Sequence, residues 1–240
     1  MRVAVLSDIH ANLVALDAVL ASLGSVDAIW HLGDVVGYGP DPDGVVARLT
    51  SLGAVGVRGN HDAAAVGQLD IAWFNPDARA AMEWTQRRIS EPTRAWLTAL
   101  PERHADRDFS LVHGSPRDPI WEYVVSLPIA RANLAVLTTP FGLHGHTHLP
   151  MVWAERDGQV EQIEPAVGST FALDDRRALI NPGSVGQPRD GIVTSSYLVI
   201  DTAARTCTWH RTPYDIAAVQ TAMAAAGLPR RLVERLAFGL

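Results

Sequence analysis

The sequence predicts an α/β protein, and three observations carry that expectation. Over residues 1–62 short apolar runs alternate with helical patterns, the signature of a parallel sheet. Each apolar run ends in a polar motif: Asp8-Ile9-His10, Gly33-Asp34 and Gly59-Asn60-His61-Asp62. From Phe141 onward the pattern changes to closely spaced strand-like runs, read as a meander.

Taken in order, 2–7 reads as a first buried strand ending at Asp8. Asn12 can cap a helix whose apolar positions Leu13, Leu16, Val19, Leu20 and Leu23 follow helical spacing. A second strand spans 27–32 and ends at Gly33-Asp34, a helix lies within 41–52, and a third strand covers 54–57. Asn75-Pro76, a cap followed by a first-turn proline, opens a helix to about residue 89, with a second short helix over 91–100. A strand at 109–112 delivers His113, and 128–137 reads as helix. Strands follow at 141–145, 150–155, 160–164, 170–173, 178–180, 195–200 and 205–210, then amphipathic helices at 215–226 and 229–238. Ligands of parallel sheets gather beyond the carboxyl ends of the strands, where all three acidic motifs fall.

The chain of 240 residues is 48% hydrophobic, contains 7 Trp and shows no low-complexity tract, which suits one domain over residues 1–240. A net charge of -6 without a basic run argues against an extended nucleic-acid or anionic-membrane surface. All 20 basic residues are Arg, so mechanisms that need a Schiff-base or phosphate-loop lysine are excluded. The single Cys207 permits neither an internal disulfide nor a thiolate metal cage. The apolar stretch 3–6 is shorter than a signal-peptide core and no segment reaches membrane length; a cytoplasmic protein is the simplest reading.

Five segments carry the chemistry: D-x-H at Asp8 and His10, G-D at Gly33 and Asp34, G-N-H-D from Gly59 to Asp62, H-G at His113 and Gly114, and G-H-T-H from Gly145 to His148. They are rich in oxygen and imidazole donors and hold no thiolate, as paired borderline divalent ions require. Asp8 and His10 alternate, as do His146 and His148, so extended backbone would project each pair to one side. Taken singly, Asp8 also reads as a helix cap and Asp34 or Asp62 as turn residues; their company with four histidines favours metal binding. His144, His31, His104 and His210 read as structural.

In this order and with these neighbours the segments resemble the calcineurin-like metallophosphoesterase superfamily, and the stretch N-P-G-S-V-G-Q-P-R-D-G, Asn181 to Gly191, resembles a feature of its small bacterial, phosphodiesterase-like members. The resemblance implies a four-layer α/β/β/α sandwich of two mixed sheets flanked by helices. It implies two divalent ions, Mn or Fe ahead of Zn, Co or Ni, with Asp8, His10 and His148 on one, Asn60, His113 and His146 on the other, and Asp34 bridging both. A water activated between the ions would attack a phosphoester, with His61 protonating the leaving oxygen and Asp62 orienting the His61 ring. Arginine is the natural partner for the remaining phosphate charge; Arg58, Arg117 and Arg189 are candidates, with Arg189, Asn181 and Ser184 expected to bind substrate.

Protein phosphatases of the superfamily carry G-D-x-V-D-R-G where this chain reads Gly33-Asp34-Val35-Val36-Gly37-Tyr38-Gly39. The acid and arginine are gone; Gly37 leaves room and Tyr38 offers an aromatic wall to substrate. The expected activity is therefore metal-dependent hydrolysis of a small phosphodiester or nucleotide. A phosphomonoesterase, a phosphoprotein phosphatase and a non-catalytic scaffold are the alternatives, and the oligomeric state stays open.

Overall fold

The structure is a computed structural model that describes residues 1–240. In chain order the elements are β1 (Arg2–Leu6), α1 (Leu13–Ser22), β2 (Ala28–His31), α2 (Pro42–Ser51), β3 (Val55–Gly56), α3 (Asn60–Ala65), α4 (Pro76–Arg88), α5 (Glu91–Ala99), β4 (Arg103–Asp106), β5 (Phe109–Val112) and α6 (Leu127–Val136). They continue as β6 (Phe141–Leu143), β7 (Pro150–Arg156), β8 (Gln159–Ile163), β9 (Thr170–Ala172), β10 (Arg177–Pro182), β11 (Ser195–Asp201), β12 (Thr206–Thr212), α7 (Ile216–Ala225) and α8 (Arg230–Arg235). The helix starts follow their capping chemistry: the side chains of Asn12, Asp41, Asn75, Ser90 and Asp215 each accept from a backbone N–H of the first turn.

Two six-stranded mixed sheets result, ordered β3-β2-β1-β11-β12-β9 and β4-β5-β6-β10-β7-β8. The pleat of β1 shows how they stack. Val3 and Val5 point into the core between the sheets, with Phe109, Leu111, Phe141 and Leu143 opposite. Ala4 and Leu6 point outward into the core shared with α1, α2, α4, α7 and α8. A strand buried on both faces must be apolar throughout, which is why β1 reads as a continuous run rather than an alternation. The far face of the second sheet is covered by α6 through Ala130 and Leu134 against Trp153 and Leu179. The four layers are those the sequence implied.

The strands after residue 141 do not form one meander. β7 and β8 form a hairpin in the second sheet, as β11 and β12 do in the first, while β9 joins β12 and β10 inserts between β6 and β7. Strand β4, absent from the sequence reading, is an edge strand of Arg103, His104, Ala105 and Asp106 paired to β5; charged edges carry little hydrophobic signal.

His31, on β2, is fully buried. Its ring packs on Trp96 of α5, 5.5 Å between centroids, and neither ring nitrogen has a hydrogen-bond partner. Burial pulls its pKa from 6.5 to about 4. The unfolded chain therefore takes up a proton that the folded one refuses, and stability is lost as pH falls through that interval. His31→Phe should remove this component: the stability difference between parent and variant, read from urea midpoints, should change by on the order of 2–3 kcal/mol across the interval. Parallel pH profiles for the two proteins would rule it out.

Candidate metal centre

All seven expected ligands stand beyond strand ends. Asp8 and His10 lie in the turn after β1, Asp34 after β2, Asn60 at the start of α3, His113 after β5, and His146 and His148 after β6. The first three strands belong to one sheet and β5 and β6 to the other, so the cleft between parallel strand ends gathers the donors. All seven are buried. The alternate pairs are not displayed from extended backbone: φ is +52° at Asp8, +51° at His10, +50° at Asp34, +66° at His146 and +61° at His148. This left-handed region costs most side chains about 1 kcal/mol or more, and Asp, Asn and His enter it more readily than most. Each donor is thus aimed by its own turn.

The first part of the glycine-rich 181–191 loop, Asn181 to Gly186, holds these turns. Ser184 Oγ donates to the Asp8 carbonyl at 2.8 Å, the Gly186 N–H donates to the same oxygen at 3.0 Å, and a Cβ at Gly186 would fall on the Ile9 carbonyl. Asn181 Nδ2 donates to Gly145 O at 2.8 Å and to Thr147 Oγ1 at 3.1 Å. Both side chains are fully buried. The expectation that Asn181 and Ser184 bind substrate is corrected: their polar atoms are consumed in fixing the Asp8 and His146 turns.

The hydrogen bonds of the imidazoles fix their chemistry. His10 Nδ1 faces Val36 O at 3.2 Å, His113 Nδ1 faces Leu32 O at 2.8 Å, His148 Nδ1 faces Gln187 O at 2.5 Å, and His146 Nε2 faces Trp121 O at 3.2 Å. A ring nitrogen against a carbonyl must carry the hydrogen, so the opposite nitrogen of each neutral ring is a bare lone pair. Those lone pairs converge. His10 Nε2 is 3.1 Å from His148 Nε2, and His113 Nε2 is 3.0 Å from both Asn60 Oδ1 and His146 Nδ1. Asp34 Oδ2 is 3.3 Å from His113 Nε2 and 3.7 Å from His10 Nε2, while Asp8 Oδ1, 3.3 Å from His148 Nε2, has no hydrogen-bond partner. Buried acceptors at such distances repel unless a cation lies among them. Protons are a poor substitute, since burial pulls His10, His146 and His148 well below 6.5. His113 is the exception: burial lowers it too, but the Asp34 carboxylate outweighs this and raises the ring to about 9, so a metal ion at its Nε2 would have to displace a proton. The donor set fits divalent ions, and its potential ligand atoms fall into three overlapping groupings: Asp8, His10 and His148; His10, Asp34 and His61; and Asp34, His113 and His146.

His61 lines a cavity of about 130 Å³ above these donors, together with Asp34, Asn60, His146, His148 and Arg189. Its ring is wedged among Tyr38, Phe74 and His10 at 4.4, 4.9 and 4.9 Å between centroids, and Nδ1 is 3.1 Å from Met82 Sδ. Asp62 does not orient it. One Asp62 oxygen accepts from the Val35 and Val36 N–H groups at 2.9 and 3.1 Å and the other from Gly59 N–H at 3.0 Å, so the carboxylate ties the second motif to the third. Nor does Gly37 leave room for substrate, because a Cβ there would collide with His61 Nδ1. Tyr38 lines the cavity but is only 7% exposed, and its ring braces His10 and His61. Of the three candidate arginines, Arg58 is held by Gln68 and Glu102 and Arg117 by Glu122, whereas Arg189 reaches the cavity with its guanidinium 5.9 Å above the Tyr38 ring. His144 is buried beside Asn181, and like His31, His104 and His210 it belongs to none of the ligand groups.

Sequence reasoning passed over the aromatic side of the cavity. Trp73, 76% exposed, stands near Trp121 at 6.4 Å between ring centroids, and Tyr123 stacks on His146 at 3.8 Å. These are isolated residues in irregular segments, and no periodicity marks them.

A family model described as the calcineurin-like phosphoesterase superfamily domain matches residues 1–205. The chain belongs to this superfamily. Among solved structures it is similar to a metallophosphoesterase from Sphaerobacter thermophilus, at 45% identity and TM-score 0.92, covering 100% of this chain and 99% of that one. It is 35% identical to an uncharacterized protein of Methanocaldococcus jannaschii over 99% of this chain and 98% of the relative. A shorter match, 31% identical over 55% of this chain and 50% of the relative, is to a symmetrical bis(5'-nucleosyl)-tetraphosphatase of Aromatoleum aromaticum.

As a calcineurin-like phosphoesterase the chain places its charges unevenly. Burial raises Asp8 and Asp62 to about 7, while Asp34, equally buried, is held well below the ordinary carboxylate range by His113 and His61.

Proposed function

We propose that the protein is a two-metal-dependent hydrolase of a small phosphodiester or nucleotide. The observation that carries this reading is the convergence of bare imidazole and carboxylate lone pairs beneath a cavity lined by His61 and Arg189. Asp8, His10 and His148 would hold one ion, Asn60, His113 and His146 the other, with Asp34 shared; Mn or Fe is favoured over Zn, Co or Ni. When bound, such ions supply Lewis-acid charge and a nucleophile from water near neutral pH. The chain's own residues do the rest. Arg189 binds a non-bridging phosphoryl oxygen through its planar donors. His61 passes a proton to the departing oxygen; burial holds its pKa near 4 in the free protein, so the proton is taken up as the anionic ester enters beside it. Trp73, Trp121 and Tyr123 flank the organic portion.

The partial relatives named as bis(5'-nucleosyl)-tetraphosphatases support a nucleotide among the candidates. No helix is long and apolar enough to cross a membrane, and Cys207 is free and buried, in keeping with a cytoplasmic setting. A screen of mono- and diesters with each of the five metals tests the reading. An aryl phosphodiester should be hydrolysed with higher kcat/KM than the matching monoester, because the acid-arginine pair that would favour a dianion is replaced by Gly37 and Tyr38. A monoester preference would promote the phosphatase alternative. Since Tyr38 braces both His10 and His61, Tyr38→Ala should lower both activities together.

A further inference from the structure

A second, larger cavity of about 690 Å³ adjoins the metal cleft. The two are neighbours, since Tyr38, Asn75, Tyr123 and Arg189 line both. Its outer wall is α8 and the residues after it, which lie beyond the 1–205 matched by the superfamily domain. The charged residues lining it are Arg189, Arg231, Arg235, Asp77 and Glu234. Glu234 is engaged by Arg230. Arg231 is exposed and makes no ion pair, Arg189 meets the neutral Gln187 and Tyr38, and Arg235 Nε donates to the backbone oxygen of Leu240. Burial, then the neighbouring Arg189 and Arg231, pull the Arg235 guanidinium down to about 10. Three cations stand against two lining carboxylates, Glu234 held by Arg230 and Asp77 acting on Arg235, so the cavity presents an excess of positive charge of the kind that attracts an anion.

We infer that this cavity binds a second phosphate of the substrate, so that the ester cleaved at the metal centre carries a further phosphoryl group reaching toward Arg231 and Arg235. The inference rests on the phosphoesterase reading and narrows its substrate to polyanionic esters, such as nucleotides with a chain of phosphates. Arg189, common to both cavities, would stand between the scissile phosphoryl group and the distal one.

The test is a calorimetric titration of the metal-loaded protein, in excess divalent ion, with adenosine 5'-mono-, di- and triphosphate. The parent should bind the triphosphate about tenfold or more tightly than the monophosphate. Arg231→Ala should collapse that preference toward unity, and Arg231→Glu should invert it. Because Arg231 is exposed, folding should be preserved, and matching melting temperatures would establish this; Arg235→Gln serves as an independent second variant. Equal affinity along the phosphate series in the parent overturns the inference. So does a steep series that survives Arg231→Ala and Arg235→Gln, which would assign the added affinity to the metals. Phosphate release is assayed in the same mixtures, so a protein that shows this preference yet hydrolyses no ester would sink the hydrolase reading and leave the anion site standing.

Discussion

Asp34→Asn should cost the protein both metal ions and reduce hydrolysis by at least about 100-fold. Asp34 Oδ2 lies between His113 Nε2 and His10 Nε2, at 3.3 and 3.7 Å, while Oδ1 accepts the His61 N–H at 2.9 Å. An amide in its place removes the charge that balances two cations. It also either turns an NH2 group toward the imidazole lone pairs or surrenders the bond to His61. By contrast, Asn60→Ala removes a donor from one group only and should leave the other ion bound. Metal content by atomic emission, measured on both variants beside the parent, separates the two cases. Two ions per chain in Asp34→Asn would show that the carboxylate is not shared.

The second large effect belongs to His61. His61→Gln should keep its metals and lose turnover by roughly 100-fold or more, the usual range for a proton donor to a leaving group. The loss should be smaller for a p-nitrophenolate leaving group than for an alkoxide, because the former departs without a proton. Gly37→Ala should mimic it, since the added Cβ would displace the ring at Nδ1. A loss of the same size for both leaving groups would assign His61 to holding the site together, through the packing of its ring against His10 and Tyr38, instead of to proton transfer.

The legible part of this protein was whatever repeats or stands at a boundary. Asn12, Asp41 and Asn75 announce helices because a capping side chain commonly precedes the first turn, and the candidate ligands stand out because each motif follows an apolar run. Pairing partners are another matter. β9 and β10 are separated by a short turn and enter different sheets, a choice made by core packing at long range that neither segment encodes alone. The same holds inside the site. Asp62 beside His61 in sequence suggests a catalytic pair, yet the helical turn of α3 sends the carboxylate back to the amides of residues 35, 36 and 59. Asn181 and Ser184 look like substrate contacts in a glycine-rich loop, but their depth allows only neighbours within the protein. Trp73 and Tyr123 carry no pattern and become visible only when the loops close over His146.

The left-handed backbone at Asp8, His10, Asp34, His146 and His148 also sets what can be transplanted. Copying these side chains onto the regular strands of another scaffold would stand the members of each pair roughly 7 Å apart along one face of the pleat, and would keep the lone pairs from converging. The portable unit is a set of turns with their bracing amides, of which Asn181, Ser184 and Asp62 are as necessary as the ligands. An engineer who grafts the ligands and omits the braces should obtain a surface rich in histidine that binds metal weakly and in no fixed geometry.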